Sequence, residues 1–154
     1  KRCPTRRSPN STYRTSFSPM KLTVVTPYGI SYQDDIEKAI IPTKSGVITV
    51  LPLHAQLVSV LASGEMVITK ENGDHPFAIS GGVMEVRADG NVYILADTAE
   101  RADTIDIARA EAGRQRAQEL LAQQQNALDV DFARLQAKIE KELARISVGK
   151  KYKK

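Results

Sequence analysis

Three charged side chains in the segment IDIARAEAGRQR (residues 105–116) have the types and spacing needed to bind an anion. In an α-helix, which turns by about 100° per residue, Asp106 and Arg109 lie about 60° apart and Arg109 and Arg116 about 20° apart. Arg114 points away from this set. Two arginines on one face can hold phosphate oxygens, and the aspartate could orient an arginine or accept from an adenine amino group. The alternative is an ordinary Asp–Arg pair beside a solvated arginine, worth a few tenths of a kcal/mol.

The surrounding sequence predicts that this segment begins a hairpin of two helices. Residues 104–125 are rich in the helix formers Ala, Arg, Glu and Gln, and the stretch QNALD interrupts them. Asp129 or Asp131 can cap a second helix. Its apolar residues recur every three or four positions and form one stripe: Phe132, Leu135, Ile139, Leu143 and Ile146. Four basic residues are predicted on the opposite face: Arg134, Lys138, Lys141 and Arg145.

The first helix offers a poor surface for packing. Its inward positions are Ile107, Ala110, Ala117 and Leu121, with Arg114 between them. Alanine buries little apolar area, and burial contributes only about 25 cal/mol per Å². The hairpin is therefore expected to be held weakly. This suits a segment with two alternative positions, although a permanently docked hairpin fits the pattern equally well.

Residues 20–104 read as short strands separated by turns. The β-branched run KLTVVT stops at Pro27. Asn72-Gly73 and Asp89-Gly90 are hairpin signals between apolar runs. Gly81-Gly82 predicts a bulge or a close approach of two backbones. The pattern predicts a small β-sandwich or barrel followed by helices, an α+β protein.

The charge of the chain is unevenly distributed. Residues 1–19 hold five basic residues and no acid, and the last five residues hold four lysines. The body between them has 13 basic and 18 acidic residues, so the basic overall balance is no argument for a nucleic-acid partner. We expect residues 1–19 to be disordered or a non-native leader; a transit peptide and translation upstream of Met20 also fit. The lone Cys3 excludes an internal disulfide and fits a reducing compartment.

No motif for catalysis or metal binding is apparent. The sequence lacks G-x-S-x-G, the P-loop and G-x-G-x-x-G. His54 and His75 have no Cys or His at ligand spacing, so no metal site is expected. A structural or interface role is expected for His54, and an enzyme is not.

Three stretches, SGVITVLPLHAQLVSVLASGE, ISGGVMEV and NVYILADTAERADTIDIARA, resemble the epsilon subunit of bacterial and chloroplast F-type ATP synthases. The resemblance covers residues 20 to about 148. It implies an antiparallel β-sandwich of about ten strands followed by an antiparallel two-helix hairpin. We expect a leader at 1–19, a β-sandwich at 20–103, the hairpin at 104–148 and a basic tail at 149–154.

The resemblance implies a non-catalytic rotor subunit that binds gamma and couples it to the membrane ring of c subunits in proton-driven ATP synthesis. It implies a peripheral membrane protein on the cytoplasmic face of a bacterial inner membrane, or on the stromal face of a thylakoid. The turn Ser45-Gly46-Val47 and His54 match the region that contacts the c ring and gamma. Leu53 and Thr49 stand where the family has glycines, which puts the carried-over turn geometry in question.

The resemblance also implies regulation by the hairpin, which in many members extends along gamma and inhibits ATP hydrolysis. The basic face formed by Arg134, Lys138, Lys141 and Arg145 would then meet an acidic segment of the catalytic beta subunits. The pattern I-D-x-x-R-A at Ile105–Ala110 matches members that bind ATP, and Glu100 and Arg116 fall where those members place binding residues. Arg134 and Lys138 are the helix-two candidates. No cofactor besides this regulatory ATP is implied. The alternative is a nucleotide-binding or helical-hairpin adaptor with no ATP synthase role.

Overall fold

The computed structural model describes residues 19–123 and 132–152. The predicted leader, apart from residue 19, and the proposed caps Asp129 and Asp131 lie outside this range. The elements are β1 (Met20–Thr26), β2 (Gly29–Ile36), β3 (Lys38–Thr43), β4 (Gly46–Val50), β5 (Leu57–Val60), β6 (Gly64–Lys70), β7 (Gly73–Val86), β8 (Val92–Arg101), α1 (Ile107–Gln123) and α2 (Phe132–Tyr152).

The strands form a β-sandwich that precedes two helices, which confirms the predicted fold class. The hydrogen-bonded order is β2-β1-β8-β7-β6-β3-β4, and β5 pairs with β7. The strand pairs are antiparallel as predicted with one exception, because β1 and β8 run parallel. These are the first and last strands of the domain, so their pairing places the start of the sandwich beside the segment that leads to the hairpin.

The described residues contain eight strands rather than the predicted ten or so, because β7 is long. Its first half pairs with β6 and its second half with β5, so one strand of 14 residues has two different partners along the same edge. Gly82 permits this continuity. It has a φ of +116°, and a Cβ there would lie 2.0 Å from the carbonyl oxygen of Leu95 on β8. The close backbone approach expected at Gly81-Gly82 is confirmed.

The core is built by alternation along the strands. In β1 the side chains of Met20, Leu22 and Val24 are buried, as the period of two requires. The buried core as a whole consists of Met20, Leu22, Val24, Ile36, Ala39, Ile41, Val50, Leu61, Met66, Ile68, Phe77, Ile79, Met84, Val86, Val92, Ile94 and Ala96. β1 ends at Thr26, immediately before the predicted stop at Pro27.

Both predicted hairpins are present. Neither loop is the two-residue turn Asn72-Gly73 or Asp89-Gly90 that the sequence predicted. In the β6–β7 hairpin Lys70 pairs with Gly73, so the loop is residues 71–72 and the glycine follows it. In the β7–β8 hairpin Val86 pairs with Val92, which leaves a five-residue loop at 87–91. Gly90 adopts a φ of +79° there.

The helices form the predicted antiparallel hairpin, and α2 carries most of its docking on the strands. α2 packs against β7 and β6. On α1, Ala110 and Ala117 are buried and face α2, as expected for the inward positions. α2 continues to Tyr152, so residues 149–152 belong to this helix and not to a separate tail.

The predicted apolar stripe of α2 is correct at only some positions. Ile146 is buried, but Phe132 and Leu143 are exposed. Ala144, Val148 and Gly149 are buried in their place. The reason is that the C-terminal half of α2 lies between α1 and the strands, so contacts cover more than one side of it. The apolar cluster joining hairpin to sandwich is small: Ala78, Ala102, Ile105 and Val148, with Ile107 against it.

Candidate functional site

Asp106 is the N-cap of α1. Its backbone oxygen accepts from the amide of Ala110 at 3.1 Å, and its Oδ1 accepts from the backbone amide of Arg109 at 3.1 Å. A side-chain oxygen in this position satisfies an amide that the helix itself cannot. Within residues 19–123 and 132–152 the Arg109 guanidinium has no carboxylate within 4.0 Å, so the simple Asp–Arg pair is not formed. Arg109 therefore keeps its side-chain donors for another partner.

The four residues proposed to bind ATP line one pocket of about 390 Å³. Glu100 comes from β8, and Asp106, Arg109 and Arg116 come from the start of the hairpin. The opposite wall belongs to α2. The complete lining is Glu100, Thr104, Asp106, Arg109, Ala110, Gly113, Arg116, Lys138, Glu142 and Arg145. Of the two candidates from helix two, Lys138 lines this pocket and Arg134 does not.

Arg145 lies at the centre of the charge network in this pocket. Its Nη2 donates to Glu100 Oε1 at 2.5 Å, and its Nη1 donates to Glu142 Oε1 and Oε2 at 3.0 and 3.2 Å. This guanidinium therefore bridges strand β8 and helix α2. The pairing could not be predicted from spacing, because Glu100 and Arg145 are 45 positions apart. The spacing of Glu142 and Arg145 was the only local signal.

The pocket has the chemistry of an anion site. It is lined by four cationic and three anionic side chains. Arg116 uses Nε to donate to the carbonyl of Ala112 at 3.1 Å, which orients its guanidinium along the helix. Arginine forks bind phosphate oxygens in pairs, and the nearby carboxylates can accept from amino groups. A phosphate-bearing ligand with hydrogen-bond donors elsewhere matches this arrangement.

The four basic residues predicted on one face of α2 line two neighbouring cavities. Arg145 lines the pocket on the α1 side. Arg134 and Lys141 line a larger cleft of about 1240 Å³ between α2 and the sandwich, and Lys138 lines both cavities. Burial in this cleft, followed by the charge of Arg145, lowers the pKa of Lys141. The division follows from the position of α2 between α1 and the strands.

The residues predicted to contact the c ring and gamma lie at the two ends of β4. Ser45 comes immediately before this strand, Gly46 and Val47 are its first two residues, and His54 lies four residues past its last residue, Val50. The strand extends about 13 Å from Gly46 to Val50. His54 Nδ1 lies 2.8 Å from the carbonyl oxygen of Ala55. The turn and the histidine therefore form two separate surfaces.

Leu53 adopts a left-handed backbone conformation, which favours glycine. Its φ is +68° and the residue is 89% exposed. Thr49 lies within β4, opposite Ile40. The turn at Leu53 therefore carries backbone strain, and an apolar side chain projects from it.

A second contact fastens the C-terminal end of α2, and sequence patterns gave no signal for it. Lys151 Nζ donates to both oxygens of Glu65 on β6, at 3.0 and 2.9 Å, and the Tyr152 hydroxyl donates to Oε1. Gly149 lies against the segment that connects β8 to α1, called the linker here (residues 102–106), and against the first residue of α1. A Cβ at residue 149 would be 2.9 Å from Ile107 Cγ1 and 3.3 Å from Ile105 Cγ2. Ion pairing and close packing thus hold the same end of the helix.

Neither a metal site nor a membrane-spanning helix is found in the described part of the chain. No group of three or more His, Cys, Asp or Glu side chains there could hold a metal ion. His75 Nε2 lies 2.9 Å from Asn72 Oδ1 within its own hairpin. No described helix is long and apolar enough to cross a membrane.

Comparison with known proteins agrees with this architecture over nearly the whole described chain. Residues 19–102 match the family model of the beta-sandwich domain of the ATP synthase delta/epsilon chain, and residues 103–150 match that of its long alpha-helix domain. The chain belongs to this family. The protein is similar to the ATP synthase epsilon chain of Chloroflexus aggregans, with 42% identity over 135 residues, 88% of this chain and 95% of the relative.

Further relatives are consistent with this assignment. The epsilon chain of a Roseiflexus species is 51% identical over 94 residues, 61% of this chain and 67% of the relative. A chain in the cryo-EM structure of the Euglena gracilis mitochondrial ATP synthase, OSCP/F1/c-ring, superposes with a TM-score of 0.66 at 24% identity. It covers 87% of this chain and 82% of that chain, and at this identity it indicates a common fold only.

Proposed function

We propose that this chain is a non-catalytic rotor subunit in the central stalk of a proton-translocating ATP synthase, coupling gamma to the c ring. The observation that carries the proposal is that both domains match the family in order and nearly in full. The chain would have no catalytic site of its own. It would be a peripheral membrane protein on the cytoplasmic face of a bacterial membrane, or on the stromal face of a thylakoid, held there through the complex.

The two ends of β4 provide two contacts for this coupling. The turn Ser45–Val47 would meet the c ring, and Val47 is exposed on β4 just after the turn. The end with His54 and the exposed Leu53 would meet gamma. Separation of the two surfaces along one strand suits a subunit that connects two partners. Co-purification of the chain with gamma tests this role, and its failure would favour an adaptor unrelated to ATP synthase.

The hairpin is proposed to regulate ATP hydrolysis. In the docked arrangement Arg145 is paired with Glu100 and Glu142, and Lys141 is half-buried in the cleft. Undocking would expose Lys141 and Arg145 beside Arg134 and Lys138, which are exposed already in the docked form. A basic helix of this kind could then pair with an acidic segment of the catalytic beta subunits and stop rotation. The docked hairpin would therefore conceal part of the inhibitory surface.

ATP is the ligand proposed for the pocket. The pocket exists only while β8, α1 and α2 are packed together, since each contributes wall residues. A ligand that binds the docked form alone stabilises it, by about 2.7 kcal/mol at 100 times its dissociation constant. ATP held by Asp106, Arg109 and Arg116 would keep the hairpin shut, and its loss would release the inhibitor.

Removing the second helix tests the regulatory role. Deletion of the residues after Leu128 should leave assembly intact and raise the ATPase activity of membranes that carry the complex. The measurement compares truncated and full-length complexes at equal content. Unchanged hydrolysis would rule out inhibition by the hairpin.

Calorimetric titration of the full chain with ATP tests the binding role. Arg109→Ala should weaken binding by about tenfold or more, because it removes a charge-assisted contact of about 1.5–3 kcal/mol. Arg87→Ala is the matched control. Arg87 lies in the β7–β8 loop, pairs with Glu85 and does not line the pocket. If the wild type and Arg109→Ala bind ATP with equal affinity, Asp106, Arg109 and Arg116 form an ordinary solvated helix face and no ATP site.

A further inference from the structure

We propose that Glu142 acts as an internal competitor of the ligand, occupying in the empty pocket the position of a phosphate group on Arg145. This inference rests on the proposed ATP site and concerns how tightly that site binds. Glu142 would set the affinity low, so that the hairpin is retained only at high ATP concentration.

The first argument is the geometry of the pair. Glu142 is only 8% exposed, and both of its oxygens accept from Arg145 Nη1, at 3.0 and 3.2 Å. Buried carboxylates are rare unless they are paired. A phosphate is bound by arginine through the same charge-assisted contacts between N–H groups and paired oxygens. A ligand that uses Arg145 in this way must displace or share the carboxylate of Glu142.

The second argument is that the facing helix leaves space for this carboxylate. Gly113 of α1 lies opposite Glu142, and a Cβ at that position would be 3.3 Å from Glu142 Cδ. A side chain on residue 113 would be in tight contact with the carboxylate of Glu142 in its present position. Gly113 costs helix stability of about 1 kcal/mol relative to alanine in a helix interior. The space that it leaves is filled by Glu142.

The third argument is the charge of the pocket. Four cations and three carboxylates give it a net charge of +1, and loss of one carboxylate would give +2. Neutralising Glu142 would therefore double the net positive charge of the lining and leave Glu100 as the carboxylate that still pairs with Arg145.

Glu142→Gln tests the inference in the full chain. The glutamine keeps the size of the side chain and one acceptor for Arg145, and it removes the negative charge. ATP affinity measured by calorimetry should increase about tenfold or more, a difference of about 1.4 kcal/mol. Glu140→Gln is the matched control, because it makes the same charge change two residues away on an exposed side chain that does not line the pocket.

The outcomes separate this inference from the proposed function. Tighter binding by Glu142→Gln alone supports the competitor, including the case in which only this variant binds measurably. If the wild type binds ATP and Glu142→Gln binds no more tightly than Glu140→Gln, the competitor is excluded while the ATP site stands. If neither the wild type nor Glu142→Gln binds, both proposals fail.

Glu142→Ala guards against a folding effect. Alanine favours the helix and removes both the charge and the acceptor. Thermal unfolding of both variants should remain cooperative, and both should bind ATP more tightly than the wild type. If both lose a cooperative transition, Glu142 is a structural partner of Arg145 and the inference is overturned. Adding Arg145→Gln to Glu142→Gln should abolish the gain in affinity, because the competition is for this arginine.

Discussion

Gly149 marks the place where helix α2 crosses the linker into the hairpin, and replacing it should loosen docking. The residue is buried in the last turns of α2. In Gly149→Ala the new Cβ would lie 2.9 Å from Ile107 Cγ1 and 3.3 Å from Ile107 Cδ1 and Ile105 Cγ2. Ile105 is itself buried in the cluster that joins hairpin to sandwich, so it has little room to move.

The size of the effect follows from two opposing terms. Overpacking by one methyl group costs about 1–3 kcal/mol in the docked state. Alanine also stabilises a helix by about 1 kcal/mol relative to glycine. That gain applies to α2 whether it is docked or released, so it cancels from the docking equilibrium. The substitution should therefore shift the population toward the released hairpin by about 5- to 150-fold.

Hydrogen exchange of the full chain measures this shift. Amides of the linker and of α2 should exchange faster in Gly149→Ala, while those of the sandwich should not change. Ser147→Ala is the control, because it improves the same helix at an exposed position. Wild-type protection in Gly149→Ala, or equal loss in both variants, would refute the argument that this crossing limits docking.

Three further results are expected. Leu53→Gly should raise the free energy of unfolding in urea by up to about 1 kcal/mol, since the exposed leucine holds a left-handed φ of +68°. Gly82→Ala should lower it by more than about 2 kcal/mol, because its Cβ would meet a β8 carbonyl oxygen at 2.0 Å. Burial raises the pKa of Glu65 and hydrogen bonds from Tyr152 and Lys151 lower it, with a net fall below its ordinary 4.5. Its contribution to docking should be present above that pH and be lost as the pH falls below it. Glu65→Gln should abolish this dependence in hydrogen exchange at pH 5 and below.

The sequence predicted the features that depend on neighbouring residues. Strand β1 stops before Pro27, and Asp106, Arg109 and Arg116 share a face because helical periodicity is local. The count of strands failed because β7 runs through Gly81-Gly82 for 14 residues and pairs with both β6 and β5. The close approach at this glycine pair was predicted, but the spacing did not show that a single strand would span it.

Contacts between distant residues were beyond these patterns. The regular spacing of the four basic residues of α2 predicted that they share a face, but it did not show what lies against that face. Their environment depends on α1 and the strands, which bring Glu100 to Arg145 and leave Lys141 half-buried. Likewise, Glu65 and Tyr152 are 87 positions apart, and no periodicity connects them.

The hairpin is fastened mainly at its base, and this gives it the mechanics of a lever. Gly149 against the linker and Lys151 on Glu65 hold the end of α2 that lies nearest the sandwich. Further along, the cleft separates α2 from the strands. The 17 residues of α1 place the far end of the hairpin about 25 Å from that base. A sideways force at the tip of the hairpin would therefore act on the Gly149 and Lys151 contacts through a lever of about 25 Å. A small force there would open contacts that resist a larger force applied directly at the base.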